Sequence, residues 1–198
     1  AEMSAKVHQD FVYPSGYEIP VHNSWSTRKR RKAYDESKPI FYPGFGHASI
    51  ARGKGGNQIQ AHLHFSCIGA HGDADMLNII LWAKGHEFLP DFGYTHTLLR
   101  AWATCALGHN TVVIDEKDQM FCRSEELFGN LMYYDILHKV QIVEAEGKRA
   151  YNLSLPEMRK FYIPDLKEYQ RCLILIPVDE ADAYVVDCLL YTSDAADD

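Results

Sequence analysis

One stretch constrains the fold of this chain more than any other: Ile59, Ala61, Leu63 and Phe65 alternate with Gln60, His62, His64 and Ser66. A two-residue period sends successive side chains to opposite sides of an extended strand, so this segment carries one apolar face and one polar face. Upstream, Phe45, His47 and Ser49 alternate with Gly46, Ala48 and Ile50, and Gly53-Lys54-Gly55-Gly56-Asn57 supplies a turn between the two runs. The pair reads as a hairpin with one buried and one solvated face. On that reading His62 and His64 are exposed sheet residues, although an HxH on one strand face also suits a metal.

Further strands are expected at Leu77–Trp82, Thr111–Asp115, Val140–Ala145, Gln170–Pro177 and Ala183–Asp187, each bounded by Gly, Pro or Asp. Ser124–Leu131 is the expected short helix. Many short strands with little helix imply an all-β, mainly antiparallel domain: a β-sandwich or layered sheet with one or two short helices. No internal repeat is present.

Composition sets limits. At 198 residues, 46% hydrophobic and 24% charged, the chain can fold one globular domain with a sizeable core. No apolar run approaches the roughly 20 residues that cross a bilayer, so no membrane span is expected. A net charge of -7 argues against a nucleic-acid partner, and the basic run Arg28–Lys32 reads as a solvated loop. Cys67, Cys105, Cys122, Cys172 and Cys188 form no CxxC pair and no zinc-ribbon spacing.

The chain divides into three parts. Residues 1–40 show aromatic and turn residues without sustained periodicity and read as a connector; residues 41–187 form the strand-rich domain. The last eleven residues, CLLYTSDAADD, read as the translation of a sequencing adapter, so 188–198 are expected to be a non-native tail on a truncated frame.

Chemistry concentrates in three segments: His71-Gly72-Asp73-Ala74-Asp75, Pro90-Asp91-Phe92-Gly93 with Tyr94, and Gly108-His109-Asn110-Thr111. Carboxylates and imidazoles at strand ends can converge through loops, and together they suit Zn²⁺ or a similar divalent ion. Each has a plainer reading. Asp73 and Asp75 can cap a turn, and Pro-Asp-x-Gly fits a type I turn, which is compatible with a ligand role. His71 and His109 can be structural histidines. Arg100 can be an ordinary surface cation or a bidentate clamp for a carboxylate, and Trp102 a core residue or a sugar platform.

Taken in order, HGDADMLNIILWAKGHEFLPDFGY and HNTVVID resemble the heparinase II/III-like family, whose C-terminal β domain carries HGHxD, PDxG and HNTVxxD. The similarity extends over residues 41–187, with PSGYEIP and RCLILIPVDEADAYVVD also alike. It implies a polysaccharide lyase that cleaves uronate-containing acidic glycans by β-elimination. It places a divalent metal on Asp73, Asp91 and His109; the first stands where the family has His, so Zn²⁺ is joined by Mn²⁺ or Ca²⁺ as the expected ion. His71 is then the catalytic or substrate-carboxylate contact, with Tyr94 and Arg100 beside the substrate. The general base and acid would lie on an N-terminal α/α toroid outside this fragment, which alone should be inactive. The parent protein would be periplasmic or secreted. The rival reading is a non-catalytic carbohydrate-binding or structural β domain; a cupin-type enzyme would require a tighter His cluster.

Overall fold

The computed structural model of the chain describes residues 10–24, 30–67, 71–120, 127–154 and 156–193. Two antiparallel sheets form its frame. The first has the order β1(Phe41–Tyr42), β2(His47–Arg52), β3(Ile59–His64), β4(Asn78–Ala83), β5(His86–Leu89). The second runs β6(Asn130–Asp135), β7(Gln141–Glu146), β8(Leu166–Pro177), β9(Ala183–Ser193). Two short helices, α1(Arg100–Thr104) and α2(Arg149–Asn152), lie between strands. The domain is an all-β sandwich, as the alternation predicts.

Register follows from patterning. Ala48 and Ile50 on β2, Ile59, Ala61 and Leu63 on β3, and Ile79 on β4 turn toward Val143 and Ala145 on β7 and Tyr169, Leu173 and Leu175 on β8. Each is buried, and full burial of a Leu or Ile side chain contributes about 1.5–3 kcal/mol. A one-residue slip of β3 would invert every one of these side chains.

The opposite face of the first sheet is also buried. Residues 10–24 and 30–40 pack across it: Tyr13 stacks on Trp82 with ring centroids 4.9 Å apart, and Phe11, Ile19, Ile40 and Ile80 form a second small core. His62 and His64 are therefore interior residues at 0% and 1% exposure, not the exposed ones that strand alternation predicts. Period two separates two faces but says nothing of what later covers either one.

Two other expectations change. Thr111–Asp115 forms no named strand; side chains from elsewhere reach the backbone there, with Val112 O accepting from the hydroxyls of Tyr151 (3.2 Å) and Tyr169 (3.1 Å), and the preceding Asn110 O from Arg171 (2.5 Å). It ends in a tight turn at Asp115 and Glu116, both with positive φ (52° and 55°). Of the expected helix Ser124–Leu131, residues 124–126 lie outside the described residues, and Asn130 and Leu131 begin β6. Strand β9 reaches past Asp187 to Ser193, and its Cys188 faces Cys172 of β8 in register. Backbone pairing of this kind is indifferent to the origin of residues 188–193. The described cysteines, Cys67, Cys105, Cys172 and Cys188, are free thiols. No described helix is long and apolar enough to cross a membrane.

Candidate metal centre

At the end of β3 and the beginning of β4 the polar layer deepens into a buried cluster of carboxylates and imidazoles. The loop entering β4 carries Asp73 and Asp75, both fully buried. A turn closed by Asn78 N donating to Asp75 O (2.9 Å) joins them to the strand, with Leu77 in the left-handed region at φ 61°. A non-glycine residue there costs roughly 1–2 kcal/mol, which the packing of fully buried Leu77 offsets.

Asp91 follows β5 in the Pro-Asp-x-Gly segment, which is no backbone-bonded type I turn, since Gly93 N donates to the Asp91 side chain rather than to Pro90 O. Its Oδ1 accepts from Gly93 N (2.8 Å) and its Oδ2 from Asn78 Nδ2 (2.9 Å). Gly93 is required as glycine: φ is 61°, and a Cβ would meet Ser24 O at 2.6 Å. Asn110 ties the third segment to the same place: its side-chain amide donates to Ile79 O (3.2 Å) and Pro90 O (3.0 Å), and its backbone N–H donates to Asn78 Oδ1 (3.0 Å).

His109 is oriented by its own turn. Nδ1 lies 2.9 Å from Cys105 O, so that nitrogen carries the hydrogen and Nε2 faces the carboxylates, 3.5 Å from Asp91 Oδ2 and 4.0 Å from Asp73 Oδ2. A ring fixed through one nitrogen on a backbone carbonyl, with the other aimed at anionic oxygens, is the arrangement metal-binding histidines adopt. Nε2 of His109 and all four carboxylate oxygens of Asp73 and Asp75 are buried without a hydrogen-bond partner. Buried, unpartnered carboxylates are costly unless a cation or a proton compensates them.

The electrostatics express that cost. Burial, then the neighbouring Asp75 and Asp91, push the Asp73 carboxyl up to about 8, and Arg100 opposes the rise. Burial likewise raises Asp91, against the pull of His109. For Asp75 burial acts upward too, but His22 and His64 outweigh it and hold the group below the usual carboxylate range.

Two sets of three side chains each bring one donor atom within 4.8 Å of one another: Asp75, Asp91 and His109, and His22, His64 and Asp75. Of the residues singled out in the sequence, Asp91 and His109 belong to the first set, and Asp73 lies beside it with Oδ2 4.0 Å from His109 Nε2 but in neither set. Asp75 is there as well: its side-chain oxygens take no turn-capping hydrogen bond, so the turn-cap reading fails. Its spacing from Asp73 is the signal that could have revealed it, as HxH could have revealed His64. Nothing in the sequence around His22 singles it out.

The remaining residues lie at the rim. His71 is exposed, and its carbonyl accepts from Asn23 N (3.0 Å). Arg100 is exposed with its guanidinium over the half-buried Tyr94 ring, 4.4 Å from the centroid. Trp102 is 46% exposed, so its reading as a core residue is corrected: α1 presents it outward beside exposed Leu98, Leu99 and Leu107.

An antiparallel β-sandwich with acidic and imidazole side chains gathered at one edge defines the class. Solved structures of the same build are heparan sulfate lyase HepC from Pedobacter heparinus, as a mutant, with TM-score 0.68 at 17% identity, covering 96% of this chain and 32% of that one. Heparinase III aligns with TM-score 0.61 at 16% identity, over 86% of this chain and 31% of the other. Exo-oligoalginate lyase of Saccharophagus degradans is 27% identical over 140 residues, 64% of this chain and 18% of that protein. The chain belongs to the heparinase II/III-like family, matching its C-terminal domain ("Heparinase II/III-like, C-terminal") over residues 56–191. It spans less than a third of each of these relatives.

Proposed function

We propose that this chain is the β domain of a longer polysaccharide lyase acting on uronate-containing acidic glycans by β-elimination, and that it holds a divalent metal and forms one wall of the cleft. The observation that carries the reading is the convergence of Asp73, Asp91 and His109, with His109 Nε2 aimed at both carboxylates. Asp75 brings a further donor within 4.8 Å of those on Asp91 and His109. This donor set fits Zn²⁺, and its carboxylates extend the fit to Mn²⁺ or Ca²⁺. Such an ion would hold the loops that present His71 and would add positive charge near an anionic substrate.

β-Elimination removes the proton at C5 of a uronate while the O4 leaving group departs, so negative charge builds on the C5 carboxylate as the proton leaves. On this chain, exposed His71 is the proposed catalytic or substrate-carboxylate contact. Arg100, braced by Tyr94, offers a fork-shaped donor for the same carboxylate. The base at C5 and the acid at O4 are assigned to an N-terminal α/α toroid of the parent chain. Exposed Phe92, Leu98, Leu99, Trp102 and Leu107, gathered within one segment, are the proposed contact with that domain. The parent is expected in the periplasm or outside the cell, where polymeric glycans are met.

Incubation with alginate, heparan sulfate and other uronate polymers tests this, with unsaturated uronate read by its ultraviolet absorbance. The 198-residue chain should yield none, and a version extended upstream should yield it, with a loss of at least about 100-fold in His71→Ala if the residue acts in proton transfer or charge stabilisation. Turnover by the 198-residue chain, or full activity in extended His71→Ala, would refute the assigned roles.

A further inference from the structure

Under the N-terminal segment, the polar face of the first sheet carries a line of buried side chains whose hydrogens can be placed one by one. Tyr34 donates its hydroxyl hydrogen to Val12 O (2.5 Å), and Ser37 donates to Gln58 Oε1 (3.0 Å). Both hydroxyls are thus acceptors for the Gln60 side-chain nitrogen, which fixes that amide with Oε1 toward His62 Nε2, 3.3 Å away. His62 Nε2 therefore carries the ring's hydrogen. With one N–H on each imidazole, the hydrogens of His47, His62 and His64 follow from the contacts that remain.

The sequence of donors then has one solution. His62 Nδ1 accepts from His47 Nε2 (3.1 Å), and His47 Nδ1 accepts from His64 Nδ1 (3.4 Å). His64 Nε2 is left with a lone pair, and it points at His22 Nε2, 3.0 Å off. On the far side of the His22 ring, Nδ1 stands 3.5 Å from Asp75 Oδ1, longer than the roughly 2.7–2.9 Å of a charge-assisted hydrogen bond. His22 Nδ1 and both Asp75 oxygens are buried without a hydrogen-bond partner.

We infer that His22, His64 and Asp75 form a second divalent-cation site, distinct from the one around His109 and sharing only the Asp75 carboxylate with it. One donor atom from each lies within 4.8 Å of the others. A tetrahedral ion with ligands at about 2.0–2.1 Å separates its donors by about 3.3 Å, so the set closes from within 4.8 Å by side-chain movement that brings one His22 nitrogen to the ion. Two imidazoles and one carboxylate select a borderline ion of the Zn²⁺ class, whereas the carboxylate-richer set around His109 tolerates harder ions. With two buried oxygens, Asp75 can serve both. His22 comes from the N-terminal segment and His64 from β3, so an ion here would pin that segment to the sheet. This inference does not depend on the lyase reading.

The test uses the 198-residue chain, stripped with chelator and loaded with ¹¹³Cd²⁺ for NMR and, separately, with Zn²⁺ for elemental analysis. Wild type should give two cadmium resonances and two zinc equivalents. His22→Ala should lose one resonance and one equivalent and keep the other; Asp91→Ala should lose the opposite one. An unchanged far-ultraviolet spectrum confirms folding of each variant, and His22→Gln repeats the test with less loss of volume. Wild type with no ion, or with a single resonance that survives in His22→Ala and His22→Gln, overturns the second site. A single resonance lost in the His22 variants but kept in Asp91→Ala upholds it and removes the His109 site instead.

Discussion

The two faces of the first sheet are both buried, but different forces hold them. Toward the second sheet, Ile50, Leu63 and Ile79 pack against Val143, Leu173 and Leu175, and the gain is transfer of apolar surface from water. Toward the N-terminal segment, His47, His62, His64 and Gln60 satisfy one another by hydrogen bonds in a dry layer. Such a layer is worth having only when every member is paired, because an unpaired buried polar atom forfeits its hydration. The apolar face therefore makes stability that is indifferent to pH and ions; the polar face makes stability conditional on pH and, with the proposed metal, on ions.

Leu63→Ala breaks the apolar side, and by the usual cavity cost it should lose about 2–5 kcal/mol in urea unfolding, equally with and without metal. A metal-dependent loss would mean that the two faces are not separable. Next in size, Zn²⁺ at a hundredfold excess over its Kd should add about 2.7 kcal/mol per occupied site to the wild type, and less to Asp75→Ala, read as the shift of the urea midpoint.

pH sharpens the contrast further. Burial pushes His62 down to about 3 from 6.5. The unfolded chain then binds the additional proton between those values, so the contribution of neutral His62 is complete above pH 6.5 and is lost as pH falls toward about 3. His62→Gln should accordingly reduce the slope of stability against pH between these limits by up to about 1.4 kcal/mol per pH unit, whereas Leu63→Ala should leave that slope unchanged. The smallest effect is expected at the rim: Arg100→Ala should alter stability by less than about 0.5 kcal/mol, since exposed groups away from caps and cores seldom do more.

The same contrast explains what the sequence discloses. Alternation at Ile59–Ser66 and the apolar runs near Leu77, Val140 and Gln170 mark strands because inward positions must be apolar. Asp73, Asp91 and His109 stand out through the resemblance of their segments to HGHxD, PDxG and HNTVxxD, not through spacing alone. Burial of His62 and His64 does not show, since it depends on residues 10–24 and 30–40 folding back over them, a contact without local period. Thr111–Asp115 looks like a strand for the same reason: its β-branched residues are local, but the hydroxyls of Tyr151 and Tyr169 that bond Val112 O in place of a partner strand come from distant positions. Tertiary contacts decide there what propensity leaves undecided.

The central claim is that buried carboxylates around His109 owe their tolerance to a bound cation. Metal content of the chain purified without added metal, wild type beside Asp91→Asn, addresses it most directly. The account predicts one divalent equivalent fewer in Asp91→Asn, with the fold intact; equal content in both proteins would contradict it.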